Sequence, residues 1–449
     1  MLIIAVAGYD LLRIRHTRYR VTDERVELES GLWFRSRRSL ARERVRTVDL
    51  SADPLSRVFG LVRVKVGTGE TGSGEGATTE RSIDLDSVSR AAAEKLRQEL
   101  LHRGGTLAAP GAESPDERIV TWRPAWLRYA PLSFLTPALA LALAGAIFQV
   151  AEWFGRVDVP IEFVVGVVER HGIWTVLGVG LAAFLAVGAL GSVLLHAESS
   201  WNHRLDREPG GTLRVRRGLL VSRSLSLEEQ RIRGVEIVEP LGIRLASAAR
   251  LDVIAIGLKS ADAASDLTTL VPAAPRQVVS AAAEAVSGST GGVALAPHPR
   301  AARSRRLRRA GLLITVLVAT TVTAHLLWEV PGFWSAMIIV AAVLAGSWAV
   351  CAAFDAYSSL GHAVDDEHLV TRRGSLRRST ARLRRSGIIS WRIRQSPFQR
   401  RLGLITLDAT TAGGRGHYPV VDIGEHDGIE FAADAAPGIL TPDLFLPQR

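Results

Sequence analysis

The chain has 449 residues, 55 Lys+Arg against 45 Asp+Glu, a net charge of +10 and 47% hydrophobic residues. That length calls for more than one core, and a single cysteine, Cys351, excludes a disulfide scaffold, a CxxC redox pair and a thiolate-rich zinc site. The charged fraction of 22% excludes a compositionally disordered chain, while a mean hydropathy of +0.16 is high for a soluble protein. Lysine occurs only at Lys65, Lys95 and Lys259, so nearly all basic charge is arginine. With the abundant alanine, this fits the codon bias of a GC-rich bacterial genome.

Met1–Leu12 is apolar but too short to span a bilayer, and it lacks a basic leader and a cleavage site. It reads as the second half of a membrane helix. The next stretch reads as short strands. Asp23-Glu24 sits at a hairpin turn, Gly31 at the following one, and alternation resumes over Val45–Leu50, Leu61–Val66 and Ile83–Leu85. A helix is expected from Ser87 to His102, N-capped by Ser87, with Val88, Ala92, Leu96 and Leu100 along one face. Gly67-Thr-Gly69-Glu-Thr-Gly72 matches GxGxxG, but a strand rather than a helix is expected after it, so a hairpin loop is the better reading.

Four uncharged or nearly uncharged blocks follow: Ala130–Ala151, Gly172–Leu195, Ala310–Trp328 (carrying only His325) and Val330–Phe354. Each is near the ~20 residues that cross a bilayer, and Trp126, Tyr129, Trp153, Trp174, Trp328 and Trp334 mark the edges as membrane interfaces prefer. Six arginines lie between Arg300 and Arg309, whereas the turn Glu329–Gly332 has none. The first hairpin's turn, Glu152 to His171, has two arginines against four carboxylates. Two hairpins starting and ending in the cytoplasm are expected. Gly188 with Ser192, and Ala341, Ala345 and Ala349, have spacings that suit close helix packing. His325 is the only ionisable group in a span and reads as interfacial and solvated.

The three remaining stretches repeat one pattern. Valine to glycine is 10 residues in Val21–Gly31 and Val364–Gly374; glycine to leucine is 9 (Leu40, Leu383), leucine to proline 14 (Pro54, Pro397), and proline to Gly-Leu 6 (Gly60, Gly403). The middle copy is looser, with Leu205, Gly218, Leu227 and Pro240, and Ala248-Ala249-Arg250-Leu251 near the expected Gly-Leu. Such register predicts a triplicated domain. Helices are expected at Arg276–Val286 and Glu425–Ala435, each plugging a small curved sheet or barrel.

The run G-[LS]-x-x-R-x-x-x-x-L, then R-V-x-x-V-x-[LI]-x-x-x-P, then R-x-x-G-L resembles bacterial pleckstrin-homology-like (PH-like) domains, most clearly at Arg394–Leu404. The arrangement with intervening hairpins is similar to the YdbT-like membrane proteins. The resemblance implies an α+β membrane protein: three PH-like small β-barrel domains, each with a C-terminal helix, separated by two transmembrane hairpins. The expected boundaries are a partial transmembrane helix at 1–12, a first domain at 13–103, a linker at 104–128, a hairpin at 129–196, a second domain at 197–287, a basic linker at 288–308, a hairpin at 309–354 and a third domain at 355–449.

No HExxH pair and no GxSxG elbow with a fitting Asp and His is present, so no metal, cofactor or catalytic residue is expected. The unusual feature is charge: Thr371 to Arg401 holds eleven arginines and no acidic residue. Arg372, Arg373, Arg377, Arg378, Arg382, Arg384 and Arg385 are the candidates for contact with anionic lipid head groups or an acidic partner. The competing explanation is a solvated face in an arginine-biased proteome. No aromatic platform interleaves them, so a nucleic-acid partner is not expected. The expected function is a non-enzymatic scaffold or envelope-stress component of the bacterial inner membrane, facing the cytoplasm. The resemblance implies a membrane-protein partner such as a shorter protein with one PH-like domain. The alternative is a transport or permeation component.

Overall fold

The computed structural model describes residues 18–22, 24–30, 36–41, 47–53, 56–57, 59–67, 82–101, 117–258, 268–289, 292–328 and 331–439. The readings of Met1–Leu12, Gly31 and the GxGxxG loop beyond Gly67 fall outside them. The chain forms two compact units: Met1–Arg231 with Gly242–Arg250 and Leu270–Val279, and Ile232–Leu241 with Leu251–Thr269 and Ser280–Arg449.

In the first unit, β1 (Arg18–Val21), β2 (Arg25–Ser30) and β3 (Ser36–Ala41) form an antiparallel sheet. The strands β4 (Thr47–Ala52), β5 (Leu61–Gly67) and β6 (Ser82–Ser89) precede helix α1 (Arg90–Leu101). Alternation puts Val48, Leu50, Val64, Val66 and Leu85 into one core, and the helix adds Ala93, Leu96 and Leu100 at helical spacing. The helix is capped by Ser89, whose Oγ accepts from the Ala92 N–H at 3.3 Å, rather than by Ser87, which belongs to β6.

Residues 117–128 are no linker. β7 (Glu117–Thr121) pairs with β8 (Arg204–Glu208), which continues through β9 (Thr212–Arg217) and β10 (Ser222–Glu228). The chain contributes a strand before the first apolar hairpin and returns to it afterwards. β10 also pairs with β4, so seven strands run in the order β6-β5-β4-β10-β9-β8-β7.

Between β7 and β8 lie α2 (Leu135–Trp153), α3 (Asp158–His171) and α4 (Ile173–Ser200). The expected turn at Glu152–His171 is mostly helix, and α3 carries Asp158 in its first turn and Arg170 and His171 in its last, the charge placement that a helix dipole favours. The α2–α4 contact rests on the small residues read from sequence: a Cβ at Gly188 would lie 2.3 Å from the Thr136 carbonyl oxygen, and Ser192 Oγ meets Thr136 Oγ1 at 3.1 Å.

The second unit contains β11 (Ile232–Pro240), helix α7 (Arg300–Leu327), helix α8 (Gly332–Ser358) and the strands β14 (Gly361–Val364), β15 (His368–Arg373), β16 (Arg377–Arg384), β17 (Ile388–Arg394), β18 (Leu404–Thr411) and β19 (His417–Gly424). Between β11 and α7 the chain forms α5 (Leu241–Leu245), β12 (Ala248–Ala255), β13 (Thr269–Pro275) and α6 (Arg276–Ser287). The one-turn α9 (Pro397–Arg400) and α10 (Glu425–Ala435) complete it. β11 pairs with β16, as β10 does with β4, while β17, β18 and β19 form their own sheet.

Helices α2, α4, α7 and α8 are long and apolar enough to cross a membrane. In the α7–α8 pair Ala341 and Ala345 are exposed; the close approach falls instead at Gly346, where a Cβ would lie 3.4 Å from Ile314 Cγ1. A frame shift of one residue on a helix turns the stripe by 100°. The arginines assigned to a linker at 288–308 begin helix α7, and Arg305 and Arg306 both engage Asp422 of β19, Arg306 at 2.7 Å. Asp422 also accepts from Gln399 Nε2 at 2.9 Å, inside a capping box that Ser396 makes with Gln399.

One local arrangement recurs three times. After each proline (Pro54, Pro240, Pro397) a residue in the left-handed region offers its carbonyl to the first N–H of a terminal helix. Gly60 (φ 67°) receives Arg90 at 3.1 Å, Ser247 (φ 55°) receives Arg276 at 3.0 Å, and Gly403 (φ 61°) receives Glu425 at 3.0 Å. The middle copy therefore holds a Cβ where the others have none. The left-handed region costs a non-glycine residue about 1–2 kcal/mol, and glycine's extra chain entropy returns about 0.5–1 kcal/mol of that. Ser247→Gly is thus expected to stabilise the chain by up to about 1 kcal/mol, read as a higher midpoint of thermal unfolding; an unchanged or lower midpoint refutes this account.

His203, at the entry to β8, is buried, and its Nε2 donates to the Leu270 carbonyl at 2.7 Å. Burial lowers its pKa from 6.5 to about 4. A lowered histidine pKa means that the unfolded chain takes up the proton first, so stability is complete above pH 6.5 and declines as pH falls toward 4. The loss attributable to this group approaches ~3 kcal/mol. Unfolding midpoints measured from pH 7.5 down to 4.5 should fall more steeply for the wild type than for His203→Gln.

Candidate functional site

The arginine-rich stretch folds as the β15–β16 hairpin, and the pleat divides it. Register pairs Arg372 with Thr380, Arg373 with Ser379, and Val370 with Arg382. Paired residues in an antiparallel ladder share a face and neighbours alternate. Arg372, Arg378, Arg382 and Arg384 therefore fall on one face of the hairpin. Arg373 and Arg377 fall on the other, and Arg385 leaves the sheet in a single 3-10 turn, Arg385–Gly387.

Several of these guanidiniums are engaged by the fold itself. Arg378 grips Glu239 with two hydrogen bonds, Nε to Oε2 at 2.8 Å and Nη2 to Oε1 at 3.0 Å. Arg372 Nε donates to the Ser359 carbonyl just past the end of α8. Arg385 donates to the carbonyls of Asp365, Asp366, Asp434 and Ala435, tying the hairpin to the end of α10. Arg382 lies half-buried in mid-strand, with Nε and Nη1 lacking a hydrogen-bond partner.

Arg373 and Arg377 line a cavity of about 360 Å³ together with Arg306, Arg415, Gly374 and Ser379. Arg306 is paired with Asp422 and Arg415 with Glu236. Burial and the neighbouring Arg415 together lower the pKa of Arg373, so its charge is held against a cost. Gly374 shapes the mouth: its φ is 99°, and a Cβ there would lie 2.1 Å from the Arg377 carbonyl oxygen. Ser375 Oγ donates to Asp355 Oδ2 at 2.8 Å, so the tip is held by the last turns of α8.

The first unit carries a counterpart at its β9–β10 turn. Gly218 (φ 108°) would place a Cβ 1.9 Å from the Val221 carbonyl oxygen, and Glu198 near the end of α4 accepts from the Leu220 and Val221 N–H groups, both at 2.9 Å. Arginine precedes the glycine both times, as Arg217 and Arg373. Neither Glu198 nor Asp355 stands out in the sequence; their distance from the glycine, 20 and 19 residues, is the available signal.

His325, in helix α7, contacts the Thr321 carbonyl through Nδ1 at 2.9 Å and Ser335 Oγ of α8 through Nε2. It joins the two helices near their connection.

Residues 1–104 and 312–431 match the family described as Bacterial PH domain. The chain belongs, through these two stretches, to the bacterial PH domain family. The first matched region contains the β1–β6/α1 segment; the second contains β14–β19 with the start of α10, and also takes in the later part of α7 and all of α8. No curated protein and no solved structure matches the chain. It is a bacterial PH domain protein that has, among the described residues, four helices capable of crossing a membrane, hence membrane-associated. The family is generally non-catalytic.

The two faces of the hairpin predict different costs of mutation. Glu239 is 3% exposed, and removing one partner of a buried ion pair costs roughly 3–5 kcal/mol. Arg378→Ala should therefore lower the thermal unfolding midpoint clearly. Arg377→Ala, at an exposed cavity mouth, should stay within about 0.5 kcal/mol of wild type. Equal effects of the two substitutions would contradict the assignment of their roles.

Proposed function

We propose that this bacterial PH domain protein is a non-enzymatic scaffold of the inner membrane, with three PH-like domains in the cytoplasm separated by two transmembrane hairpins. The arginines around Arg123, Arg204 and Arg300–Arg309, set against the basic-free turn at Glu329–Gly332, support that orientation. The three-fold recurrence of the left-handed residue capping a terminal helix supports the reading of the middle segment as a third such domain.

One observation carries the scaffold role. The strand before the recurring proline (Pro54, Pro240) of one repeat pairs with the third strand of the next, first as β4 with β10 and again as β11 with β16. The equivalents at the two ends are β3 and β17, which stand at sheet edges among the described residues. An unpaired edge is a template for another strand. A partner carrying a PH-like domain would continue the same series by pairing its third strand with β17. Ile389, 59% exposed on that strand, would be covered. Arg373 and Arg377 would then face anionic lipid head groups or the partner's acidic side chains, each near the surface adding about 1 kcal/mol on an anionic leaflet.

A crosslinking capture from native membranes tests this, comparing wild type with Ile389→Lys/Ser390→Pro, a pair of changes that blunts a strand edge. Wild type should retain a membrane protein that itself contains a PH-like domain, and the edge variant should lose it. Retention by both, or capture of no such protein by either, would sink the scaffold reading.

A further inference from the structure

The first unit holds a larger cavity, about 850 Å³, within the ~300–1,000 Å³ of small-ligand sites. Its walls come from β4, the start of α1, the strands β9 and β10, and the residues that follow α4. Arg57, Arg90, Arg204, Arg216, Arg217 and Arg223 line it, with Arg214 and a single carboxylate, Glu94.

That carboxylate is already committed. Arg214 holds it through two hydrogen bonds, Nη1 to Oε1 at 2.9 Å and Nη2 to Oε2 at 2.8 Å, and Arg97 adds Nη2 to Oε1 at 2.7 Å. Burial opposes the charge of Glu94, but the bonds from Arg214 and Arg97 outweigh it and hold its carboxyl below the usual range. Behind it, Arg97 and Arg214 also bind Glu208 at 2.7 and 3.0 Å, closing an internal network of two acids and two bases. Arg57 donates Nη1 to the Leu219 carbonyl at 2.7 Å and Arg204 donates Nε to Asn202 Oδ1 at 3.2 Å, while Arg216 and Arg223 line the cavity outside this network.

Arg216 is the clearest case. It stands two residues from Arg214 on the same face of β9, is half-buried, and its Nε is enclosed with no hydrogen-bond partner. Burial and the adjacent Arg214 lower its pKa. A guanidinium kept desolvated beside another cation, at the wall of a solvent-sized space, is arranged for an anion that is not part of the chain. The shape fits planar forks meeting oxyanions, the geometry that distinguishes arginine from lysine at phosphates. Trp201 and Asn202, directly after the last residue of α4, also line the space, which puts it at the end of a candidate span.

We infer that this cavity binds a phosphate-bearing ligand larger than a single phosphate, with Arg216 and Arg223 among its contacts. The ligand's phosphate is supplied either by an anionic phospholipid head group or by a soluble polyphosphorylated compound. The site belongs to the first unit and does not depend on the strand edge proposed to hold a partner.

The test uses the full chain in nanodiscs. In phosphatidylcholine discs, inorganic pyrophosphate is titrated and the thermal unfolding midpoint followed; in discs with added phosphatidylglycerol, lipid retained per chain is counted by native mass spectrometry. Arg216→Gln and Arg223→Gln are compared with wild type and with Arg401→Gln, an exposed arginine outside the cavity. A saturable rise with pyrophosphate, about tenfold weaker in half-saturation for each cavity variant and unchanged for the control, supports a soluble ligand. Retention of phosphatidylglycerol by wild type and the control, lost in the cavity variants, supports a lipid head group. Arg223 is exposed, so its variant keeps the test decisive even if Arg216→Gln disturbs folding. No response to either probe, or equal response by wild type and both cavity variants, overturns the inference.

Discussion

Everything in this chain is arranged around the need to pair the edges of small antiparallel sheets. A three-stranded sheet has two edges of unpaired N–H and C=O groups, and alone it is marginally stable. Joining β4 to β10 merges a three-stranded and a four-stranded piece into seven continuous strands, and joining β11 to β16 repeats the device. The junction is made of backbone hydrogen bonds, so it demands register and alternation but little side-chain identity. That is why the middle segment keeps it while losing the glycine that both flanking segments retain.

The apolar helices are tied to these sheets by carboxylates as well as by apolar packing, which gathers Ala302 of α7 and Tyr357 of α8 with Leu404 of β18 and Val421 of β19. Glu198 accepts two backbone N–H groups from the β9–β10 turn, and Asp355 accepts from Ser375 in the β15–β16 turn. Hydrogen bonds with one charged member are the stronger kind, and each grips a turn already fixed by a glycine that no Cβ could replace. Asp422, itself at φ 61°, performs the reverse task by receiving Arg305 and Arg306 from the start of α7. Arginines that read as markers of membrane orientation thus also have specific structural partners, and the two roles are compatible because both need basic charge at the helix start.

Much of this was legible from residue spacing. Repeat distances located the strands around Leu40, Pro54 and Gly403, and apolar length located the four helices. The readings that failed share a cause: they required contacts distant in sequence. β7 looked like linker because its partner β8 lies beyond the whole first hairpin, more than 80 residues later. The seven arginines of the candidate site looked like one surface because charge runs do not announce the pleat. Period-two alternation could have divided them had the strand β16 been placed. Gly346, rather than Ala341 and Ala345, marks the approach of α7 and α8; composition offers several small residues there, and only geometry selects among them.

The two arginine-lined cavities show why counting charge along the chain is a poor guide to a site. The densest run, Thr371–Arg401, spends Arg372, Arg378 and Arg385 on carbonyls and a buried glutamate. The arginines of the larger cavity are scattered from Arg57 to Arg223 and converge only on folding. What matters physically is the balance within a shared low-dielectric volume. Glu94 and Glu208 are held by Arg97 and Arg214, and for Arg216 burial and the neighbouring Arg214 outweigh the pull of Asp206, Glu208 and Glu94. The lowered pKa of Arg216 records what burial and the neighbouring Arg214 cost its charge.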